Sequence, residues 1–325
     1  MTCSGHEAMP LIGTRKYPKG PNLKRLEHHR VTASRTVIAF SAPAHRHDAI
    51  QAQPALSGSI NLYDESRFGR YKKNDLAEPA SMGLALKDWR FTGLPILDGT
   101  GVIGDMTFEL SIENMPEFAS LFHPRHLECA IERYIYKAYT AYRIPGECRQ
   151  NWQLKTINGI EWAGYQSVGY AGFRSAEECY ESVWHTPITD QHLLTVRFDQ
   201  VIRKKRTRLA EIYEIIIDQV MISFDIHLSP DAQSQQDYIR KNFPNEQLSE
   251  NLPPYEFDEI ELLERLELIN RVSAENNHDL TIPDDVFEGM VQQKDSEQKR
   301  RAKETKKRVL ESHLRFKSIE SVPPD

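Results

Sequence analysis

The chain has 325 residues, enough for one large domain or two small ones. Its formal net charge of −6 argues against a protein built throughout for nucleic acid, and a hydrophobic content of 39% indicates that part of it is extended or tail-like. No apolar run approaches the roughly 18 residues of a membrane span, and the first residues lack the apolar core of a signal peptide. The four cysteines form no CxxC pair, so we expect free thiols and a cytoplasmic protein.

The first part of the chain is predicted to change from a flexible arm to a region of short strands. Residues 1–34 contain several prolines and an excess of basic residues, which predicts a flexible basic N-terminal arm. Apolar and β-branched residues then predict strands, with a short helix among weakly patterned polar residues. The strands are predicted at 36–40, 57–62, 89–97 and 101–112, and the short helix at 81–87.

Two long amphipathic helices are predicted further along the chain. Between 124 and 143, apolar residues recur at spacings of three and four, with Pro124 where the first turn begins and Pro145 just beyond the end. The same spacing in Leu209, Ile212, Ile216 and Val220 predicts a second helix. Each helix is expected to bury one face.

Four strands are predicted between the two helices. Asn158-Gly159 favours a two-residue hairpin turn because both residues tolerate positive φ, and apolar and polar residues alternate on each side of it. Residues 180–184 and 192–198 are rich in aromatic and β-branched types, which favours two further strands. These elements predict an α+β domain over residues 35–228, an antiparallel sheet packed by the two helices as an α/β/α sandwich.

The composition changes after residue 228. Residues 229–256 are acidic, and Pro244, Pro253 and Pro254 in this stretch predict a linker. Residues 257–325 are predicted to form a charged helical tail, acidic first and then basic. An apolar stripe and a basic cluster in this tail are predicted to bind a protein partner: Ile260, Leu263, Leu266, Ile269, Arg300, Arg301, Lys306 and Lys307.

The common catalytic and nucleotide-binding patterns give little support for an enzyme. The sequence has no GxSxG and no P-loop, and the GxGxxG string at Gly99–Gly104 falls in a predicted hairpin turn. We therefore predict no cofactor and no catalytic residue. His45, His47 and Asp48 are the strongest metal candidates, since alternate residues of a strand share a face, although surface positions explain them more simply.

The order of the elements resembles the PsbP/DcrB-like family over residues 35–228. The strings that carry this resemblance are a strand ending in Pro43, the helix from Pro124 and the hairpin at Asn158-Gly159, followed by the aromatic strand at 180–184 and the strand at 192–198. Known members include secretion-associated chaperones and photosystem accessory proteins. The resemblance implies an α/β/α sandwich, and catalysis is not typical of the family.

These observations lead to one function hypothesis and two alternatives. The first is a non-catalytic protein-interaction protein of the bacterial cytosol: a chaperone, adaptor or toxin-neutralising partner. The second is an enzyme with a dispersed site, built from the three metal candidates with His185, Asp190 and His192. The third is a binder of nucleic acid or anionic surfaces through three basic segments, at residues 15–30, 204–208 and 299–308.

Overall fold

The structure is a computed structural model that describes seven stretches of the chain, and all of them lie in one compact unit that ends at Tyr255. The stretches are residues 13–45, 59–69, 80–94, 101–138, 148–168, 178–204 and 207–255. They contain ten strands and three α-helices. The strands are β1 (Leu26–Ala33), β2 (Thr36–Pro43), β3 (Ser59–Ile60), β4 (Ala80–Thr92), β5 (Val102–Asn114), β6 (Gln150–Ile157), β7 (Ile160–Val168), β8 (Glu178–Pro187), β9 (His192–Ile202) and β10 (Asp225–His227). The helices are α1 (Pro124–Ala138), α2 (Leu209–Ile222) and α3 (Pro230–Asn242).

The strands form two sheets. The larger sheet has six antiparallel strands in the order β4-β5-β9-β8-β7-β6. The smaller has four strands in the order β10-β2-β1-β3, in which β3 is parallel to β1. Two neighbouring inner strands of the larger sheet, β5 and β9, pair in one unbroken register from Gly104↔Ile202 to Asn114↔His192. That register puts alternate residues of β5 on opposite faces of the sheet.

The apolar face of the larger sheet forms the core. On β5 this face carries Met106, Phe108, Leu110 and Ile112, all fully buried. The smaller sheet and the apolar side of α2 cover it, and their buried residues belong to the same hydrophobic cluster. The ring of Phe108 lies at its centre, with ring centroids 5.6 Å from Phe40 on β2 and 5.4 Å from Phe198 on β9.

The opposite face of the larger sheet carries most of its charged residues, and α1 packs over part of it. Tyr134 of α1 makes an edge-on contact with His185 of β8 at 4.9 Å between ring centroids. Beside them the guanidinium of Arg197 lies 2.5 Å from Glu109 and 3.6 Å from both Glu181 and Asp199. One cation therefore lies among three carboxylates on this face.

The hairpin of β6 and β7 has the turn that the sequence predicts. Ile157 pairs with Ile160, and the two residues between them have φ values of 50° at Asn158 and 81° at Gly159. Positive φ at both central positions matches the right-handed twist of the flanking strands. The amide of Asn158 also donates to the carbonyl oxygen of Phe224 at 2.6 Å, which attaches the turn to the end of α2.

The α+β class is confirmed, and the layer arrangement differs from the expected sandwich of one sheet between two helices. A second sheet shares with α2 the face that one helix was expected to cover. The two predicted helices are present as α1 and α2, and the buried residues of α2 include Leu209, Ile216 and Val220 of the predicted stripe.

Three local predictions are wrong. Residues 26–33 of the expected flexible arm form β1, which pairs with β2 along its whole length. Residues 81–87 of the expected short helix belong to β4. Residues 230–242 of the expected linker form α3, which Ser229 caps by accepting a hydrogen bond from the backbone N–H of Ala232 at 3.2 Å.

In the part of the chain that the structure describes, no helix is long and apolar enough to cross a membrane.

Candidate functional site

Most of the sequence-predicted site residues lie outside the described part of the chain. This holds for the eight partner-binding residues of the tail, from Ile260 to Lys307, and for His47 and Asp48. Of the metal candidates only His45 is described, and its Nδ1 accepts a hydrogen bond from the backbone N–H of Asp88 at 3.0 Å. Among the described residues, no group of three or more histidine, cysteine or acidic side chains is placed to hold a metal ion.

The residues of the dispersed-enzyme hypothesis have separate partners. His185 Nδ1 lies 3.0 Å from the hydroxyl of Thr195, whereas the carboxylate of Asp190 accepts a hydrogen bond from Ser120. His192 is held at both ring nitrogens, by Thr189 Oγ1 at 2.8 Å and by the carbonyl oxygen of Leu62 at 3.0 Å. Such contacts fix loops and strands in place, and the structure does not assemble these three residues into one catalytic group.

The buried histidines make the stability of the fold depend on pH. Burial lowers the pKa of His185 to about 3, against roughly 6.5 for an unfolded histidine. Because the unfolded chain then binds more protons, the contribution of His185 is complete above pH ~7 and declines as the pH falls below ~6.5. We expect His185 to reduce the free energy of unfolding by about 2 kcal/mol between pH 7 and pH 5.

Urea unfolding at pH 5, 6 and 7 measures this effect, with His185→Asn as the comparison. The variant is less stable at pH 7 because it loses packing, but its stability declines less between pH 7 and pH 5. Equal slopes for the two proteins would show that His185 is not the residue that titrates.

A cleft forms where an extended segment crosses the end of the larger sheet. This segment, residues 243–255, follows α3 and is called the strap. Ser249 fixes its middle, because its N–H donates to Glu128 Oε1 at 2.5 Å and its carbonyl oxygen accepts from Trp152 Nε1 at 2.7 Å. Near its end, Arg149 Nε donates to the carbonyl oxygen of Pro253 at 2.9 Å. The strap is thus attached to both α1 and β6.

The cleft beneath the strap has a volume of about 570 Å³. Its walls come from the start of α1, the ends of β6, β7 and β8, the inner side of α3, and the strap. The aliphatic side chains that line it are Leu127, Leu154, Ile160, Leu228, Ile239 and Leu248. Phe243 adds a ring that is 38% exposed. The volume falls in the range of ligand sites, and the aliphatic residues offer contact surface to apolar groups beside the polar parts of the lining.

Charged side chains also line the cleft, and acidic ones are in excess. Glu161, Glu246 and Glu250 contribute carboxylates and Arg240 contributes one guanidinium, all on exposed residues. Glu246 also lies 3.6 Å from the guanidinium of Arg125. The cleft therefore favours a ligand that combines apolar groups with positive charge.

Sequence reasoning did not find this cleft. Its lining residues come from segments that are far apart in the chain, and α3 carries only two buried residues, Ala232 and Ile239. One signal was available, since the apolar residues Phe243 and Leu248 stand among the polar and acidic residues between 245 and 251 or just before them.

Comparisons with known proteins give a fold-level similarity. The expected resemblance is confirmed by cyanobacterial PsbP (CyanoP) from Synechocystis sp. PCC 6803, matched over 70% of this chain and 98% of that protein, at 11% identity and a TM-score of 0.30. A crystal structure of a protein from Bacteroides thetaiotaomicron VPI-5482 is matched over 73% of this chain and 66% of that chain, at 7% identity and a TM-score of 0.23. No protein-family model and no curated protein sequence matches the chain.

Proposed function

We propose that this chain is a non-catalytic protein-interaction protein, a chaperone, adaptor or toxin-neutralising partner, that holds part of another protein in the cleft. The observation that supports the proposal is the cleft itself, an open cleft of about 570 Å³ that aliphatic and polar residues line together, with an acidic excess among the charged ones. Burial of apolar area supplies about 25 cal/mol per Å², so a few aliphatic side chains from a partner gain substantial affinity there.

The anchoring of the strap supports a site that is formed before the partner arrives. Ser249, Trp152 and Glu128 hold the strap from both sides of the cleft. A preformed cavity avoids the entropy cost of ordering a loop on binding. The tail residues from Ile260 to Lys307 remain a predicted second contact with the partner.

Filling the cleft should reduce partner binding at least tenfold. Gln247 is an exposed lining residue of the strap, so Gln247→Trp places an indole against the cavity with little strain. Asn245→Trp is the matched control, because Asn245 is exposed, lies two residues away and is not a lining residue. Both variants and the natural protein are used to capture proteins from the host.

A protein that is retained by the natural chain and by Asn245→Trp, but lost with Gln247→Trp, is then purified and titrated against all three. Equal affinity for the two tryptophan variants would show that binding does not use the cleft. Circular dichroism and thermal unfolding confirm that both variants keep the fold.

A further inference from the structure

Among the residues that the structure describes, none pairs with one stretch of the outer edge of β6, next to the cleft. In a hairpin with a two-residue turn, the residues that flank the turn exchange both backbone hydrogen bonds, and hydrogen-bonded pairs then alternate along the strands. Ile157↔Ile160, Lys155↔Trp162 and Gln153↔Gly164 are therefore the bonded pairs of β6 and β7. The N–H and C=O groups of the residues between them, Leu154 and Thr156, point away from β7.

The two edge strands of the larger sheet are β4 and β6. Elsewhere along these edges, backbone groups pair with other segments of the chain at several points. At β4 the backbone of Thr92 exchanges hydrogen bonds with Lys19, at 2.9 and 3.0 Å, and the N–H of Gly69 donates to Ser81 O at 2.9 Å. Just before β6, the N–H of Tyr255 donates to Cys148 O at 2.8 Å in an antiparallel bridge. The strap therefore adds one residue of strand at this edge, and among the described residues nothing continues that pairing to Leu154 and Thr156.

The cleft lies against this stretch. Leu154 lines it, and so does Glu161, which faces Thr156 across the hairpin. These three residues share one face of the sheet, because side chains alternate along a strand. An extended chain paired with Leu154 and Thr156 would place every second side chain on the side of the cleft.

The charged residues beside this edge indicate which side chains a paired segment should carry. On the other face of the hairpin, α2 presents Asp218, which pairs with Lys155 at 3.2 Å, and Glu214, which accepts from Gln166 at 3.3 Å. Burial, and then the neighbouring carboxylate of Asp218, raise the pKa of Glu214. The charged residues of the cleft also have an acidic excess. Beyond the Lys155–Asp218 pair, the carboxylate of Glu214 remains on this face, and beyond the Arg125–Glu246 pair the cleft keeps two carboxylates against one guanidinium. Each face beside the edge therefore has one carboxylate in excess, which favours positive charge.

We propose that β6 binds an extended segment of a partner protein as an added strand, with apolar side chains entering the cleft and lysine or arginine side chains on the opposite face. Main-chain hydrogen bonds to Leu154 and Thr156 give affinity, and the cleft and the carboxylates select the sequence. This inference rests on the proposed function, because it specifies how the partner would occupy the cleft.

The test uses the full chain and a short synthetic peptide of alternating valine and lysine, titrated by calorimetry. We expect measurable binding, and at least tenfold weaker binding of a peptide in which glutamate replaces lysine. Methylating the peptide nitrogens that face β6 leaves its side chains unchanged and should weaken binding about tenfold for each hydrogen bond removed. This measurement requires no change in the protein.

Thr156→Pro is the matching change in the protein. Proline removes one outward N–H and is tolerated at edge positions of this kind. It should weaken peptide binding about tenfold, while Thr156→Ala should bind within about twofold of the natural protein. If Thr156→Pro fails to fold, the methylated peptide still decides the question.

The possible outcomes separate the two proposals. Absence of binding by the valine–lysine peptide, or equal binding of its methylated form, would overturn strand addition. If Gln247→Trp nonetheless abolishes binding of the native partner, the cleft is the binding site and the partner occupies it in another conformation. If the peptide binds as expected and Gln247→Trp leaves the native partner bound, strand addition takes place but the cleft does not carry the proposed function.

Discussion

Replacing Phe108 with alanine lowers the free energy of unfolding by about 3–5 kcal/mol. Phe108 is fully buried, and three aromatic rings, those of Phe40, Phe198 and Trp89, have centroids 5.4 to 6.2 Å from its own. The substitution leaves a cavity where β2 packs on the larger sheet, and the surrounding rings cannot close it. Because a domain is stable by only about 5–15 kcal/mol, this loss is a large fraction of the total.

Equilibrium unfolding in urea measures the loss, with Ile222→Ala as the control. Ile222 is 65% exposed on α2, so its truncation should change stability by less than about 0.5 kcal/mol. A loss at Phe108 no larger than that of the control would mean that the two sheets do not pack through this ring.

Replacing Arg197 with methionine has the second large effect. It lowers the free energy of unfolding by about 2–3 kcal/mol at neutral pH. The Arg197 side chain is 27% exposed, and its guanidinium neutralises part of the charge of Glu109, Glu181 and Asp199. Burial alone lowers the pKa of Arg197, but these carboxylates, with the nearby Tyr134, outweigh that effect and raise it. Without the cation, three carboxylates repel one another on a half-buried face.

Varying the pH tests whether repulsion between the carboxylates causes this loss of stability. The carboxylates bind protons as the pH falls, so the difference in stability between Arg197→Met and the natural protein should shrink from pH 7 to pH 5. Adding Glu109→Gln to Arg197→Met should restore part of the loss at pH 7. A loss that is constant with pH and unchanged by Glu109→Gln would indicate lost packing of the arginine side chain instead.

The sequence predicted the elements whose residues follow a simple period. The hairpin around Asn158 and Gly159 combines strand alternation with a turn that requires positive φ, and α1 has a continuous apolar stripe, so both were found. In β4 the register shifts between Gly83 and Ala85, which breaks the alternation of a strand within residues 81–87, where a short helix was predicted.

Other features depend on contacts that no local pattern shows. The first half of β1 is polar, with His28 and His29, and it is a strand because β2 lies beside it. In α3, Ser229 and Pro230 form a good helix start, but only two of its residues are buried. The cleft forms where segments distant in the sequence meet, so its location required the structure. The partner-binding tail and the cytoplasmic location stay predictions.

The position of β10 has a consequence for how the chain folds. β10 closes the smaller sheet by pairing Ile226 with Ile38 of β2, and just beyond it the N–H of Ser229 donates to Thr36 Oγ1 across 193 residues. The chain must lose a large amount of conformational entropy before these contacts form, and folding is slow when such long-range pairings dominate. During synthesis on the ribosome, β2 therefore cannot pair with β10 until nearly the whole compact unit has emerged. In that interval the edge of β2 is open to mispairing and to chaperones.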